Sequence, residues 1–233
     1  MSPPIRQNMG MATLPIRVVA EFLGTALLVA VVVGSGIMAQ TLSSDTGVSL
    51  LLNQLATVLG LGVLIVVLMP VSGAHLNPVV SLAFLARREL SLRDALSYIA
   101  AQLSGGVAGV VLAHIMFGRV LLEIATNERL VAGTFVAEIV ATSGLIAIIL
   151  LLVGEGRAAL VPLVVPAWIG AGYVFTSSTS FANPAVTLGR MFTDTFTGIS
   201  PLSGLGFIAA QVLGMVVALV LVKSLLESRK DTV

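Results

Sequence analysis

Cysteine is missing altogether from the 233 residues, which excludes a disulfide framework, a thiolate nucleophile and a soft metal site. Charge is scarce as well: 10% of residues are Asp, Glu, Lys or Arg and the formal net charge is +1, so nothing in the chain offers a basic surface to nucleic acid. The two histidines, His75 and His114, have no matching carboxylate cluster, so they are read as satisfied structural residues and neither a metal nor a cofactor is expected. Aromatic residues make up 5% of the chain, with Trp168 the only tryptophan; it and the scattered Met69, Met116 and Met191 are read as interface or core filling. What fills the sequence instead is apolar: 57% hydrophobic residues and a mean hydropathy of +1.08, the composition of a protein that crosses a membrane several times.

Windows near 15–39, 50–71, 96–117, 132–153, 159–177 and 202–224 are each long enough to span a bilayer as helix. The stretch before Arg17 is short, contains proline and is weakly apolar, so no cleavable signal is expected, and residues 1–233 read as a single transmembrane domain. Basic residues divide unevenly between the two sides. Arg6, Arg17, Arg87, Arg88, Arg93, Arg157, Lys223, Arg229 and Lys230 fall on the side of the termini, against Arg119, Arg129 and Arg190 on the other, which predicts cytoplasmic termini.

The chain repeats itself. Glu21 opens Glu-Phe-Leu-Gly-Thr and Glu138 opens Glu-Ile-Val-Ala-Thr; Asn77-Pro78-Val79 returns as Asn183-Pro184-Ala185; Gln102 closes Tyr-Ile-Ala-Ala-Gln and Gln211 closes Phe-Ile-Ala-Ala-Gln. The copies run over about 15–118 and about 132–224, and each holds three crossings. An odd number forces the second copy to enter from the opposite side, so the repeats are inverted.

Inversion sends one Asn-Pro segment in from each side. The residues after Pro78 and after Pro184 are apolar enough to enter a membrane and too few to cross it, so both read as half-helices. Proline suits the first helical position, where its missing N–H would have no partner anyway, and asparagine before it can cap the free amides. Such ends are tolerated at depth only against protein or water, which brings both to a central cavity at the midplane. Two facing helix N-termini, each carrying roughly half a positive charge, repel cations and protons, while Asn77 and Asn183 can donate hydrogen bonds to a passing neutral molecule. The chemistry implied is permeation without bond making, and no credible nucleophile and base are present for an enzyme.

Glu21 and Glu138 would be costly in lipid, and their related positions predict that each accepts hydrogen bonds from the backbone near an Asn-Pro turn, with snorkelling to the membrane edge a second reading for Glu21. Gln102 and Gln211 read the same way. Gly60, Gly62, Gly105, Gly109, Gly170 and Gly172, and the series Ala210, Gly214 and Ala218, predict close helix crossings. In Thr176 to Ser180 the small hydroxyl residues read as satisfying backbone turns.

Ser-Gly-Ala-His-Leu-Asn-Pro-Val at 72–79, the second Asn-Pro-Ala, the paired glutamates and the two Ala-Gln pairs resemble the major intrinsic protein family, the aquaporins and aquaglyceroporins, over nearly the whole chain. The resemblance implies an all-α membrane fold of six tilted helices plus two half-helices, a pore in every subunit, a homotetramer and small neutral solutes as permeants. By the family's spacing, Thr57, Ala171, Ser180 and Val186 form the selectivity filter. Members usually have arginine where Val186 stands, and glycerol channels usually follow it with aspartate, where Thr187 stands. The expected opening is therefore wide, weakly polar and uncharged, and replacement of the arginine by valine resembles a bacterial subgroup associated with arsenic handling. That resemblance implies an inner-membrane channel passing water and larger neutral solutes such as arsenous acid, glycerol or urea.

The alternatives are a water- or glycerol-selective channel without an arsenic role, and a coupled secondary transporter, for which driving-ion residues beyond the two glutamates are lacking. His75 is a candidate for lining the inner mouth. Arg190, four residues after Val186, has two readings: a partial substitute for the lost charge in the vestibule, or the preferred one, an arginine that offsets its helix dipole and faces solvent or headgroups.

Overall fold

The computed structural model describes residues 12–230, with side chains to 225; Arg6 and the side chains of Arg229 and Lys230, counted above, lie outside the described residues. Among the described residues eight α-helices follow one another, with no strand. They are α1 (Leu14–Leu42), α2 (Thr46–Ser72), α3 (Pro78–Ala86), α4 (Leu92–Met116), α5 (Ala132–Gly154), α6 (Val161–Phe175), α7 (Pro184–Arg190) and α8 (Pro201–Lys230), with a 3-10 turn at Ala158–Leu160 leading into α6. Six are long and apolar enough to cross a membrane, and α3 and α7, at nine and seven residues, are not.

Two of the helices start earlier than hydropathy alone suggests, because each runs back to the nearest capping group. Asp45 accepts a hydrogen bond from Val48 N at 2.8 Å and starts α2, and Ser91 Oγ accepts from Asp94 N at 3.1 Å and starts α4. Gly73 ends α2 with φ +88, a left-handed conformation that costs glycine little.

Within the first half α1 packs on α2 and α4, and within the second α5 packs on α6 and α8. The half-helices cross over: α7 lies against α4 and α1, and α3 touches α8 and α7. Glycines on α4 make room for this. A Cβ on Gly105 would stand 2.5 Å from Phe22 O of α1, and one on Gly106, the next residue round, 2.5 Å from Ala185 O of α7. On the facing side, a Cβ on Gly189 would stand 2.7 Å from Gly106 O, so α4 and α7 touch backbone to backbone.

The outer surface is apolar in helical register: Leu51, Leu55, Leu59 and Val63 on α2 are 60%, 54%, 61% and 61% exposed at a spacing of four, a face suited to hydrocarbon. Polar side chains turn inward, where Glu21, Gln102, Glu138 and Gln211 have no exposed surface.

Candidate functional site

Both Asn-Pro turns are built from strained backbone that a buried carboxylate holds in place. Ala74 and Leu76 have φ of +48 and +49, and at the matching places before the second asparagine Ser180 and Ala182 have φ of +52 and +46. Each such residue costs roughly 1–2 kcal/mol in an L-amino acid chain. Glu21 offsets this by accepting from His75 N at 2.9 Å, Leu76 N at 2.6 Å, Ser72 Oγ at 2.6 Å and Gln102 Nε2 at 2.8 Å. Glu138 accepts from Phe181 N and Ala182 N, both at 2.9 Å, and from Gln211 Nε2 at 2.6 Å. Gln102 also donates to Ser81 Oγ at 3.0 Å and Gln211 to Thr187 Oγ1 at 2.9 Å, tying each carboxylate to the half-helix beyond its turn. Glu21 is wholly buried, which rules out its snorkelling to a membrane edge.

The asparagines close the centre. Asn77 Oδ1 accepts from Val79 N at 3.1 Å, and Asn183 Oδ1 accepts from Ala185 N at 2.9 Å and Val186 N at 3.3 Å, so both cap their half-helices. Their amide groups cross between the repeats: Asn77 Nδ2 donates to Ala182 O and Asn183 Nδ2 donates to Leu76 O, each at 2.8 Å. An amide NH₂ has two hydrogens, so each asparagine keeps one donor free. Pro78, Val79, Pro184 and Ala185 are buried behind them.

A cavity of about 360 Å³ runs past both asparagines. From His75 and Glu89 towards the side of the termini it is walled mainly by aliphatic side chains of α2, α5 and α6. Towards the opposite side its polar groups are Thr57, Tyr173, Ser180 and Arg190, and Val186 shares the wall with them. Ala171 does not take part: it lies on the exposed side of α6 and is absent from the cavity wall. Tyr173 stands in the wall instead, with its hydroxyl donating to Thr57 Oγ1 at 3.2 Å. The turn between α6 and Asn183 is compact, with left-handed backbone at Thr179, Ser180 and Ala182, so a later residue of α6 reaches the lumen. Two residues amount to about 200° round a helix, enough to replace an inward side chain by an outward one. Ser180 Oγ is buried and has no hydrogen-bond partner among the described residues.

Arg190 is also placed differently from the preferred reading. It is 4% exposed and lines the cavity, with its guanidinium carbon 3.4 Å from the centre of the Phe181 ring and Nε donating to Thr197 O. The segment that supplies this carbonyl is anchored by His114, whose Nδ1 meets Val120 O at 2.5 Å and whose Nε2 meets Thr193 Oγ1 at 2.8 Å. Thr193, Thr195 and Thr197 hydroxyls continue the chain at 3.0 and 3.4 Å. Arg129 braces the same segment, donating to Gly198 O at 2.7 Å and Phe196 O at 2.8 Å. At the other end His75 pairs with Ser81 Oγ at 3.1 Å and packs against the rings of Phe84 and Tyr98, centroids 4.8 and 5.3 Å away. Among the described residues no group of three His, Cys, Asp or Glu could hold a metal ion.

Two residues escaped the sequence reading, Tyr173 as part of the wall and Phe181 as the seat of Arg190. A usable signal for the first was present. The chain has two tyrosines, and a phenol within an apolar span needs an interior hydrogen-bond partner; Tyr98 finds Ser72 O at 2.7 Å and Tyr173 finds Thr57.

This geometry of opposed, asparagine-capped half-helices inside six spans agrees with the relatives of the sequence. Residues 11–182 match the family described as Major intrinsic protein, a match that ends one residue before Asn183. The chain is 48% identical over 217 residues to Aquaglyceroporin AqpS of Rhizobium meliloti (strain 1021), covering 93% of each chain. It is 29% identical over 218 residues to the Glycerol uptake facilitator protein of Pseudomonas aeruginosa, covering 80% of this chain and 77% of that protein. Among solved structures, the aquaglyceroporin from Plasmodium falciparum superposes with a TM-score of 0.67 at 26% identity, over 89% of this chain and 94% of the other. The chain belongs to the major intrinsic protein family. It is an integral membrane protein, a passive channel for water and small solutes and not an enzyme.

Proposed function

We propose that the chain is a channel for uncharged solutes larger than water, with trivalent metalloid hydroxides such as arsenous acid among them, alongside glycerol and urea. The observation that carries the reading is Val186 on the lumen wall where members of the family usually have arginine. With Thr57 and Tyr173 beside it in the wall, the filter has hydroxyl groups that can exchange hydrogen bonds with a hydroxylated solute, and an isopropyl group that takes up little of the opening. The 48% identity to a protein named as an aquaglyceroporin supports a permeant range beyond water.

At the midplane, Asn77 and Asn183 hand a solute from one free amide hydrogen to the other, while the N-termini of α3 and α7 disfavour cations and protons. Glu21, Gln102, Glu138 and Gln211 act as structural support for the two turns, and His75 lines the mouth on the side of the termini. That side is cytoplasmic by its basic residues, the membrane is a bacterial plasma membrane, and residues 1–233 form one channel domain from two inverted repeats. Four such protomers form a homotetramer, each with its own pore, and the exposed aliphatic faces meet lipid or a neighbour.

The test is stopped-flow flux of water, glycerol, urea and arsenite through vesicles containing the purified protein, beside Val186→Arg. Flux linear in the gradient and indifferent to proton or sodium gradients is expected, and Val186→Arg is expected to cut the three larger solutes by about tenfold or more while sparing water. Unchanged passage of the larger solutes through Val186→Arg contradicts the filter assignment. Passage of water and glycerol with no arsenite selects the narrower reading of a channel without an arsenic role.

A further inference from the structure

We propose that Arg190 is the outer selectivity charge of this channel, a positive group moved one helical turn outward from Val186 and turned into the lumen, where it admits neutral solutes and excludes cations of the same size. The inference rests on the reading of Val186 as a filter position that has lost its charge.

Four observations carry it. First, Val186 and Arg190 both line the cavity and lie four residues apart on α7, which places Arg190 about 6 Å further from the midplane on the same face. Second, the guanidinium is aimed rather than free: the Phe181 ring lies under it and Thr197 O holds Nε, and Phe181 is itself fixed by its backbone N–H to Glu138. Third, among the described residues no oxygen accepts a hydrogen bond from either Nη atom, and the side chain lines the cavity, so their N–H groups are left for water or a solute. Fourth, no carboxylate forms an ion pair with Arg190 among the described residues. Glu138 is occupied by Phe181 N, Ala182 N and Gln211, and the acids of the loops on the same side are engaged elsewhere, Glu123 by Arg119, Glu128 by Ser203 and Asp194 by Thr126.

An arginine whose purpose were to offset a helix dipole would sit in water or among headgroups; an inward, unpaired guanidinium in a conduit acts on whatever passes. A second cation strengthens the field, since Arg129 lies over the same Phe181 ring at 5.8 Å. The free N–H groups can bind only acceptors, which suits the oxygens of an amide, a polyol or a neutral oxyacid. A cation meets the same group with repulsion and no hydrogen bond to gain.

Urea and guanidinium provide the probe, because they are planar, nearly equal in size and differ by one charge. Wild-type vesicles are expected to pass urea and to pass guanidinium at least about tenfold more slowly. Arg190→Met, which keeps bulk under the ring and removes the charge, is expected to raise the ratio of guanidinium to urea flux by about tenfold, whatever urea itself loses; Arg190→Lys is expected to keep the ratio of wild type. The amount of protein recovered in the vesicles and its melting temperature report that each variant is folded and inserted, and Arg190→Gln takes the place of the Met variant if that one fails either check.

Guanidinium passing through wild type as fast as urea overturns the proposal, as does an uncharged variant that excludes guanidinium as well as wild type does, which would assign the exclusion to the midplane alone. Adding Val186→Arg to Arg190→Met separates the two readings. Restored exclusion with reduced urea flux supports both, restored exclusion with unchanged urea flux keeps Arg190 and removes the Val186 filter, and a failure to restore exclusion means that the outer rim does not select by charge and overturns the proposal.

Discussion

The two Asn-Pro turns share one frame and differ in what stands beyond it. On the side of the termini, Glu21 and Gln102 hold a turn that leads into nine residues of half-helix, and the adjoining cavity wall is mainly aliphatic, with Ser72, His75, Phe84, Glu89 and Tyr98 set into it. On the far side, Glu138 and Gln211 hold a turn of the same backbone shape, but the half-helix has seven residues and its last one, Arg190, is folded inward under a loop pinned by His114 and Arg129. The shared part keeps the midplane symmetric. In the proposed function discrimination falls to the half where Tyr173, Ser180, Val186 and Arg190 line the cavity, so the scaffold and the proposed filter are physically separable.

The strongest way to break the comparison is to remove its supports. Glu21→Ala and Glu138→Ala each strand buried N–H groups, and each is expected to cost about 3 kcal/mol or more, read as a large fall in the melting temperature of the detergent-solubilised protein. Equal losses sustain the symmetric frame, and a loss confined to one side denies it. Next in size is exchange at the wall. Tyr173→Ala is expected to raise glycerol flux about fivefold or more, whereas Ala171→Leu, on the exposed side of α6, is expected to leave it unchanged; the reverse outcome would return the filter to Ala171.

Tyr173→Phe removes one hydroxyl and its bond to Thr57, for an expected cost of about 1 kcal/mol and a change in flux of about twofold. The smallest effect belongs to Ser180→Ala. Its hydroxyl is closed off and has no hydrogen-bond partner among the described residues, so the melting temperature is expected to hold to the equivalent of about 0.5 kcal/mol and glycerol flux to change by less than about twofold. A clear loss of stability there would mean that Ser180 serves the turn.

Much of this was legible in the chain itself, and the reason is the solvent. Hydrocarbon demands long apolar runs and penalises every polar side chain that is not enclosed, so the spans, the paired glutamates and the two Asn-Pro turns stand out against an apolar background. What could not be read was how many residues a compact turn consumes. Counting back from Asn183 by the family's spacing reached Ala171, but the left-handed run at Thr179, Ser180 and Ala182 shortens the return, and Tyr173 faces the lumen. Arg190 was misplaced for a related reason: its environment is made by Phe181 and Thr197, on segments before and after its own helix, and no local pattern around residue 190 encodes that meeting. Glu21 shows the opposite case, where position along the span suggested the membrane edge while its repeat partner pointed to the interior it occupies.

The exchange of amide bonds at the centre, from Asn77 to Ala182 and from Asn183 to Leu76, means that each half-helix tip is moored to the other half of the chain. Neither tip is complete by itself. A polypeptide carrying a single repeat would lack the acceptor for its own asparagine and could recover it only from an upside-down twin, so the fused duplicate makes permanent, within one molecule, an antiparallel pairing that half the length would have to find by collision.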